Sequence, residues 1–394
     1  MSLWNQTAAV AAMNVKGLPQ RRWPALATIV AIAVVVAVMM AFLSMAEGFK
    51  KTVAGTGAHD MALIMREGSQ AELNSGLTAE QVKLIAEAPG VARQDGVPQA
   101  SFELYVIVDG VKRSTGTSVN LPLRGMGPEG LALRPGIRIV EGRMFTPGVN
   151  ELVVGRAAQG QFSGLEVGEH VTFGKTRWQV VGAFDAGGSV FESELWADVR
   201  VVQNMYNRGN TYQSVRARLD GVDALERIEA YAKADPRLNL SIQTEADYFA
   251  QLSKPLIRLI QWVGYPLAVI MALGALAGAL NAMYSSVAAR QREIVTLRAI
   301  GFGGLSTFVG TMAEAVILTL AGTLLGMGAA YLFFDGLSAS TLGQSFTQVV
   351  FDFDVSPALA GQAALLALGI ALIGGFFPAL RAARQPVVDA FRTA

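Results

Sequence analysis

The sequence predicts an α-helical membrane protein: four transmembrane helices, with an α+β extracytoplasmic domain inserted between helices 1 and 2. Three observations carry that reading. The chain is 52% hydrophobic and only 16% charged, with mean hydropathy +0.38, whereas soluble domains hold about 25% charged residues. Four uncharged or nearly uncharged runs exceed the ~20 residues that span a ~30 Å hydrocarbon layer at ~1.5 Å per residue. Arginines and lysines recur at the ends of those runs that fall on one side of a membrane.

Composition also excludes classes. A net charge of +1 without a basic run gives no footprint for nucleic acid. With no cysteine there are no disulfides, thiol nucleophiles or Fe–S ligands. His59 and His170 stand far apart without further ligands at metal spacing, so no metal site is expected.

Residues 1–23 read as a cytoplasmic N-terminal amphipathic segment with Lys16, Arg21, Arg22 and Trp23 near its end. Span one, 24–46, has no charge and outruns the 7–15 residue apolar core of a cleaved signal peptide. It is read as an uncleaved anchor. Span two, 259–289, is longer than a bilayer requires and should project as a stalk. A cytoplasmic segment, 290–303, follows. Span three, 304–334, is apolar except for Glu314, and span four covers 355–380. Glycine and alanine in LGALAGAL and AGTLLGMGAA let helices approach closely, so the last three spans should pack as one bundle. Arg290, Arg292 and Arg298 lie between spans two and three, and Arg381, Arg384 and Arg392 follow span four. With four spans, these clusters place both termini (the C-terminus being 381–394) and the 290–303 segment in the cytoplasm. They leave 47–258 and a short loop, 335–354, outside.

The insertion, 47–258, has ordinary water-soluble composition and enough residues for a core. Alternating runs predict strands at 101–108, 150–155, 170–174 and 177–184. Helical periodicity appears at 78–88, with Thr78 and Gln81 as a capping box, and at 222–234. Residues 216–248 can make a strand, helix, strand and helix in succession. The segment GEHVTFGKT (168–176) resembles a phosphate loop, but Gly168 and Gly174 enclose five residues where four are needed, and a strand follows where a helix must begin. A β-hairpin turning at Gly174-Lys175 is the better reading, and no nucleotide site of its own is expected.

Between spans two and three, a cationic face of Arg290, Arg292 and Arg298 alternates with Ile294, Leu297 and Ile300, predicting an amphipathic cytoplasmic helix. This stretch, RQREIVTLRAIGF (290–302), resembles the R-x-R-E-I-x-x-L-R-A-x-G signature of FtsX-like and MacB-type ABC transporter permeases (type VII). Residues 14–49 are similar to that family's basic patch, first span and terminal turn. Residues 312–330 are similar to its glutamate-bearing third span, and 376–392 to its ending, with Phe391 where Leu is usual. Residues 125–145 and 179–184 resemble its periplasmic core more softly.

The resemblance implies a permease subunit that binds no cofactor itself. ATP-Mg would sit on two copies of a separate ABC ATPase, docked on Arg290, Arg292, Glu293, Ile294, Leu297, Arg298 and Gly301. A second permease copy or related permease completes the complex, with membrane lipids around it. A periplasmic membrane-fusion adaptor and an outer-membrane channel are further partners the family often uses. ATP hydrolysis would drive export or extraction of a substrate by moving the periplasmic domain, in the inner membrane of a bacterium. The alternative is a non-transporting regulator of a periplasmic partner such as a cell-wall hydrolase. Glu314 lies within a span, where an ionised carboxylate costs about 3 kcal/mol on insertion scales; pairing with Arg298 or another helix is expected to hold it.

Overall fold

The computed structural model describes residues 3–343 and 347–385. The main helices in chain order are α1 (Leu3–Lys16), α2 (Arg22–Ala54), α3 (Ala79–Ala86), α4 (Arg156–Gln161), α5 (Val199–Met205), α6 (Ala224–Ala234), α7 (Glu245–Ala289), α8 (Gln291–Ala299), α9 (Gly304–Phe334) and α10 (Pro357–Ala383). The main strands are β1 (Met61–Arg66), β2 (Ala100–Val111), β3 (Ser118–Met126), β4 (Arg138–Gly142), β5 (Glu151–Gly155), β6 (His170–Phe173), β7 (Thr176–Asp185), β8 (Leu195–Asp198), β9 (Ser214–Arg218), β10 (Leu240–Thr244), β11 (Ser338–Leu342) and β12 (Gln348–Asp352). The chain divides into two compact units. The membrane unit holds the segments up to Glu47, from Leu259 to Leu337, and from Phe353 onward; the inserted unit holds Gly48–Arg258 with Ser338–Asp352.

In the membrane unit, α2, α7, α9 and α10 are long and apolar enough to cross a bilayer. Ile32, Val36, Met39 and Met40 of α2 pack with Ala268, Ala330, Leu359 and Ala363. Close approach of α2 and α9 depends on two glycines: a Cβ at Gly322 would stand 2.7 Å from the Ile29 carbonyl oxygen, and one at Gly326 would stand 2.5 Å from that of Ala33. The AGTLLGMGAA stretch therefore works as a packing face. Gly274 and Gly278 of LGALAGAL meet nothing within 4 Å among the described residues.

Helix α7 has 45 residues, about 68 Å at ~1.5 Å each, and the part beyond a bilayer's needs precedes Leu259. Lys254 and Arg258, which mark the sequence boundary of the span, do not interrupt it, because charged residues are good helix formers. At the other end the chain breaks at Arg290, the N-cap of the nine-residue α8. The stretch read as one amphipathic segment, 1–23, is α1 followed by a single 3-10 turn, Leu18–Arg21, broken at Gly17.

The inserted unit is built on a ten-stranded mixed sheet in the order β10-β1-β9-β2-β3-β8-β5-β7-β4, with β6 paired to β7. The 170–174 and 177–184 runs form the antiparallel β6–β7 hairpin, turning at Gly174-Lys175. Thr78 and Gln81 make the capping box of α3. Period-two alternation gives the sheet two unlike faces. On one, Leu104, Val106, Leu123, Val154, Val180 and Leu195 bury against Ala158, Phe162 and Val202 of α4, its C-terminal flank and α5. The same face continues as Ala62, Ile64, Val215 and Ala217 under Val82 and Ile85 of α3 and Ile228 of α6.

The opposite face carries Ser101, Glu103 and Tyr105 of β2, Arg124 of β3, Glu194 beside β8, Trp196 of β8, and Ser214 and Arg216 of β9. All are buried. The region read as a short external loop, 335–354, contains the β11–β12 hairpin, which belongs to this unit. The Val350 N–H donates to Ser193 Oγ at 2.9 Å, and Tyr105 Oη lies 3.2 Å from Thr347 Oγ1. Phe351 meets Phe49 edge-on at 5.5 Å.

Candidate functional site

The amphipathic helix expected after span two is α8. Ile294 and Val295 are buried, with Ile294 against Val287 and Ala382. Gln291, Arg292, Glu293, Thr296 and Ala299 are exposed, and Ile300, just past the helix, is 68% exposed. Leu297 is half-buried. Gly301 ends the turn at φ +101°, in the left-handed region that favours glycine, and its N–H donates to the Arg298 carbonyl at 3.1 Å.

Two of the three arginines do not stand where the cationic-face reading put them. Arg290 is buried. Its guanidinium donates to Asn14 Oδ1 of α1, to Ser286 Oγ of α7 at 3.4 Å, and to Glu314 Oε2 of α9. Ser286 Oγ also donates to Glu314 Oε1 at 2.9 Å. Of the two expected pairings for Glu314, Arg298 or another helix, the second holds: Arg290 and the α7 residue Ser286 bind it, and Arg298 donates instead to the Gln385 carbonyl.

The helix geometry explains the correction. At about 100° per residue, Arg290 lies only ~40° from Ile294, on the buried side, whereas Arg292 lies ~160° away. Angle about the helix axis, not sign, decides which of these charges is buried. Breaking a buried pair of this kind costs about 3–5 kcal/mol, because one charge is left uncompensated. The clasp thus joins α1, the end of α7, the start of α8 and α9. Gln6 of α1 adds a second tie, accepting from the Gly303 N–H at 3.3 Å and Ser306 Oγ at 3.2 Å. Arg392 and the rest of the family-like ending from residue 386 lie outside the described residues.

The inserted unit holds a second ionic cluster that sequence reading missed. Arg124 reaches three carboxylates: Nε and Nη2 donate to Glu194 at 2.7 Å each, Nη1 to Glu72 and Glu103 at 2.8 Å each, and Nη2 again to Glu72 at 3.0 Å. Arg134 and Arg216 also donate to Glu103. Arg216 Nε lies 2.8 Å from Glu245 Oε1, at the first residue of α7. Glu245 Oε2 accepts from the Ala58 N–H at 3.2 Å, and Tyr248 Oη accepts from the Glu72 N–H at 3.1 Å.

Burial pushes the Glu72 carboxyl up, but the Arg124 guanidinium outweighs it and holds it below the usual range. At Glu194 burial prevails over Arg124 and the carboxyl is pushed up. Burial also raises the Tyr105 and Tyr248 phenols, which stay neutral. This layer fixes the sheet to the first turn of α7 and to the chain that follows α2. Its sequence signal is a polar side chain at every second residue, Glu103 and Tyr105 in FELY and Arg216 and Arg218 in VRAR, which also fits an ordinary solvent-facing strand.

A four-helix membrane unit with an α+β domain inserted after its first span, and a short amphipathic helix after its second, defines an ABC-type permease subunit. The MacB-like periplasmic core domain matches residues 25–235 and the FtsX-like permease C-terminal region matches 266–387. The chain belongs to the MacB/FtsX family of ABC transporter permeases. It is 24% identical over 407 residues to "Uncharacterized ABC transporter permease YvrN" of Bacillus subtilis (strain 168), covering 93% of this chain and 94% of that one. It is 23% identical over 406 residues to "Macrolide export ATP-binding/permease protein MacB" of Neisseria gonorrhoeae, covering 96% of this chain but 60% of the relative's length. Among solved structures, the periplasmic region of MacB from Actinobacillus actinomycetemcomitans aligns with 54% of this chain and 97% of its own, at 15% identity and TM-score 0.37.

Proposed function

We propose that this permease couples ATP hydrolysis on a separate ABC ATPase subunit to movement of its inserted domain, and that the movement drives export or extraction of a substrate. The observation that carries the reading is the division of α8. Its buried half packs on α7 and α10, while Gln291, Arg292, Glu293, Thr296 and Ile300 form an exposed patch that mixes charge with an apolar residue. Such a patch suits a protein partner better than lipid, since Arg292 and Glu293 together bring no net charge.

Arg290 acts inside this mechanism as a positioning residue, transmitting displacement of α8 to α1, α7 and α9. Glu293, Ile294, Leu297, Arg298 and Gly301 shape and seat the docking helix. Both termini and α8 lie in the cytoplasm on the charge argument. ATP-Mg binds to the partner, and the functional unit contains two ATPases and two permease chains, the second a copy or a related permease. In Gram-negative bacteria an adaptor and an outer-membrane channel extend the path. The whole-chain similarity to MacB supports the exporter reading over the regulator of a cell-wall hydrolase.

The chain contains no cysteine, so single cysteines make clean probes. A cysteine at Ile300 should crosslink to the co-expressed ATPase in a nucleotide-dependent way, and one at buried Val295 should not. Equal labelling of both, or of neither, contradicts the docking face.

A further inference from the structure

Where α7 and α10 end and α8 begins, the membrane unit opens a cavity of about 490 Å³ whose lining includes Tyr284, Val287 and Ala288 of α7, Gln291 of α8, and Arg381 and Arg384 at the end of α10. We propose that this cavity binds the phosphate of an anionic phospholipid, phosphatidylglycerol being the simplest, from the leaflet on the side of α8.

The charge in the cavity is unbalanced. Among the described residues neither Arg381 nor Arg384 is ion-paired, and no acidic side chain lines the cavity. Arg290 differs in this respect, since Glu314 neutralises it. The Arg381 guanidinium lies over the Tyr284 ring at 5.8 Å, a contact that holds it at the wall without using its N–H donors. Arg384 stands only ~60° around α10 from Arg381 and ~4.5 Å along it. Both planar forks can therefore face one phosphodiester, which arginine binds in a two-point geometry that an ammonium lacks. The helix dipole accounts for a cation in the last turn of α10; it does not account for two of them beside a recess.

A phosphate could come from a lipid or from solution, and what lies deeper in the bundle favours the lipid. Phe377 is 55% exposed and lies ~40° around the helix from Arg381 and ~20° from Arg384, about 6 and 10 Å nearer mid-span. Ile373, equally exposed, carries the same apolar stripe one turn further. An acyl chain can lie along that stripe, and a free phosphate leaves it unused. Below the cavity the two helices touch: a Cβ at Gly374 would stand 3.2 Å from Leu276 Cδ1 and 3.4 Å from Ala279 Cβ. The opening is thus a wedge, closed in the apolar zone and open near the helix ends. Tyr284 is five residues from the end of α7 and Arg381 two from the end of α10, which is ~7.5 and ~3 Å. Basic recesses between spanning helices at that level suit anionic headgroups.

The test uses the full chain in nanodiscs of equal phosphatidylglycerol and phosphatidylcholine, followed by native mass spectrometry of the extracted protein. The expected result is retention of phosphatidylglycerol several-fold above phosphatidylcholine. Arg381→Gln with Arg384→Gln should bring the two to equal retention. Lys16→Gln with Arg22→Gln, which removes as many exposed charges from the same end of the bundle, should preserve the preference. Equal retention by the unmodified chain overturns the proposal, as does a preference that survives the loss of Arg381 and Arg384 or is lost alike in both variants. Inorganic phosphate in excess should leave the preference in place; a preference that phosphate abolishes assigns the cavity to the free anion and overturns the lipid. If the variant at Arg381 and Arg384 does not fold, a photoreactive phosphatidylglycerol on the unmodified chain decides. Crosslinks at 284–291 and 377–385 support the site, and crosslinks confined to other segments refute it.

Discussion

Arg290 of the membrane unit and Arg124 of the inserted unit are both buried and both held by carboxylates, yet they do different things. Arg290 faces one carboxylate, Glu314, and its remaining bonds go to the neutral Asn14 and Ser286. Arg124 is shared by Glu72, Glu103 and Glu194, within a layer of three arginines and four carboxylates that also takes in Arg134, Arg216 and Glu245. The first is a clasp at a helix break that ties the start of α8 to three neighbouring helices. The second is a rigid plate with one carboxylate more than it has guanidinium groups. A single pair can be exchanged for another; a shared network cannot lose a member without stranding several charges.

The largest effect is therefore expected at the plate. Arg124→Met leaves three buried carboxylates without their shared guanidinium and should lower the stability of the inserted unit by more than the ~3–5 kcal/mol of one broken pair. Thermal unfolding of the full chain in detergent, followed by circular dichroism, measures it. A loss below that of Arg290→Met would erase the distinction between plate and clasp.

Next comes the clasp. Arg290→Met should cost about 3–5 kcal/mol, and most of that loss should be recovered when Glu314→Met is added, because the double change strands no charge. Additive losses in the double-mutant cycle would mean that the pair does not act as a unit.

The inserted unit also carries a pH dependence. Glu194 is raised in the fold, so its contribution is complete below the ordinary carboxyl value of 4.5 and is lost as pH climbs toward the folded value. Glu72 is lowered, so its contribution is present above 4.5 and is lost as pH falls. Glu194→Gln should flatten the decline of melting temperature on the rising side and leave the acid limb in place. An unchanged profile would remove Glu194 from the titrating set. A smaller acid effect is expected at Glu151, which hydrogen bonding from the Arg143 guanidinium holds at about 2. Glu151→Gln should weaken the acid-limb slope between pH 4.5 and 2 and lower stability at neutral pH, where the ionised carboxylate contributes fully.

The four spans were legible because twenty apolar residues in a row admit few other readings. The strands at 101–108 and 177–184 were legible because alternation survives burial of one face. Alternation does not say what the second face packs on. In VRAR of β9 and FELY of β2, alternation marks a strand but not what its polar face meets, and the fold turns that face onto other charges. Such pairing joins Glu72, Glu103, Arg124, Glu194, Arg216 and Glu245 across long stretches of chain, a relation that local periodicity does not carry. The start of α7 at Glu245 was hidden by Lys254 and Arg258, which lower hydropathy without breaking a helix. Arg290 was within reach of sequence reasoning, since its angle to Ile294 already placed it on the buried side.

The central claim is that within one short motif Arg290 works inward and Arg292 works outward. It is tested most directly by comparing stimulation of the partner ATPase by two permease variants, the charge swap Arg290→Glu with Glu314→Arg, and the single reversal Arg292→Glu. The account predicts that the swap retains substantial stimulation and that Arg292→Glu, though folded and as stable as the unmodified chain, loses it. Retained stimulation in Arg292→Glu, together with its loss in a folded swap, would contradict the account.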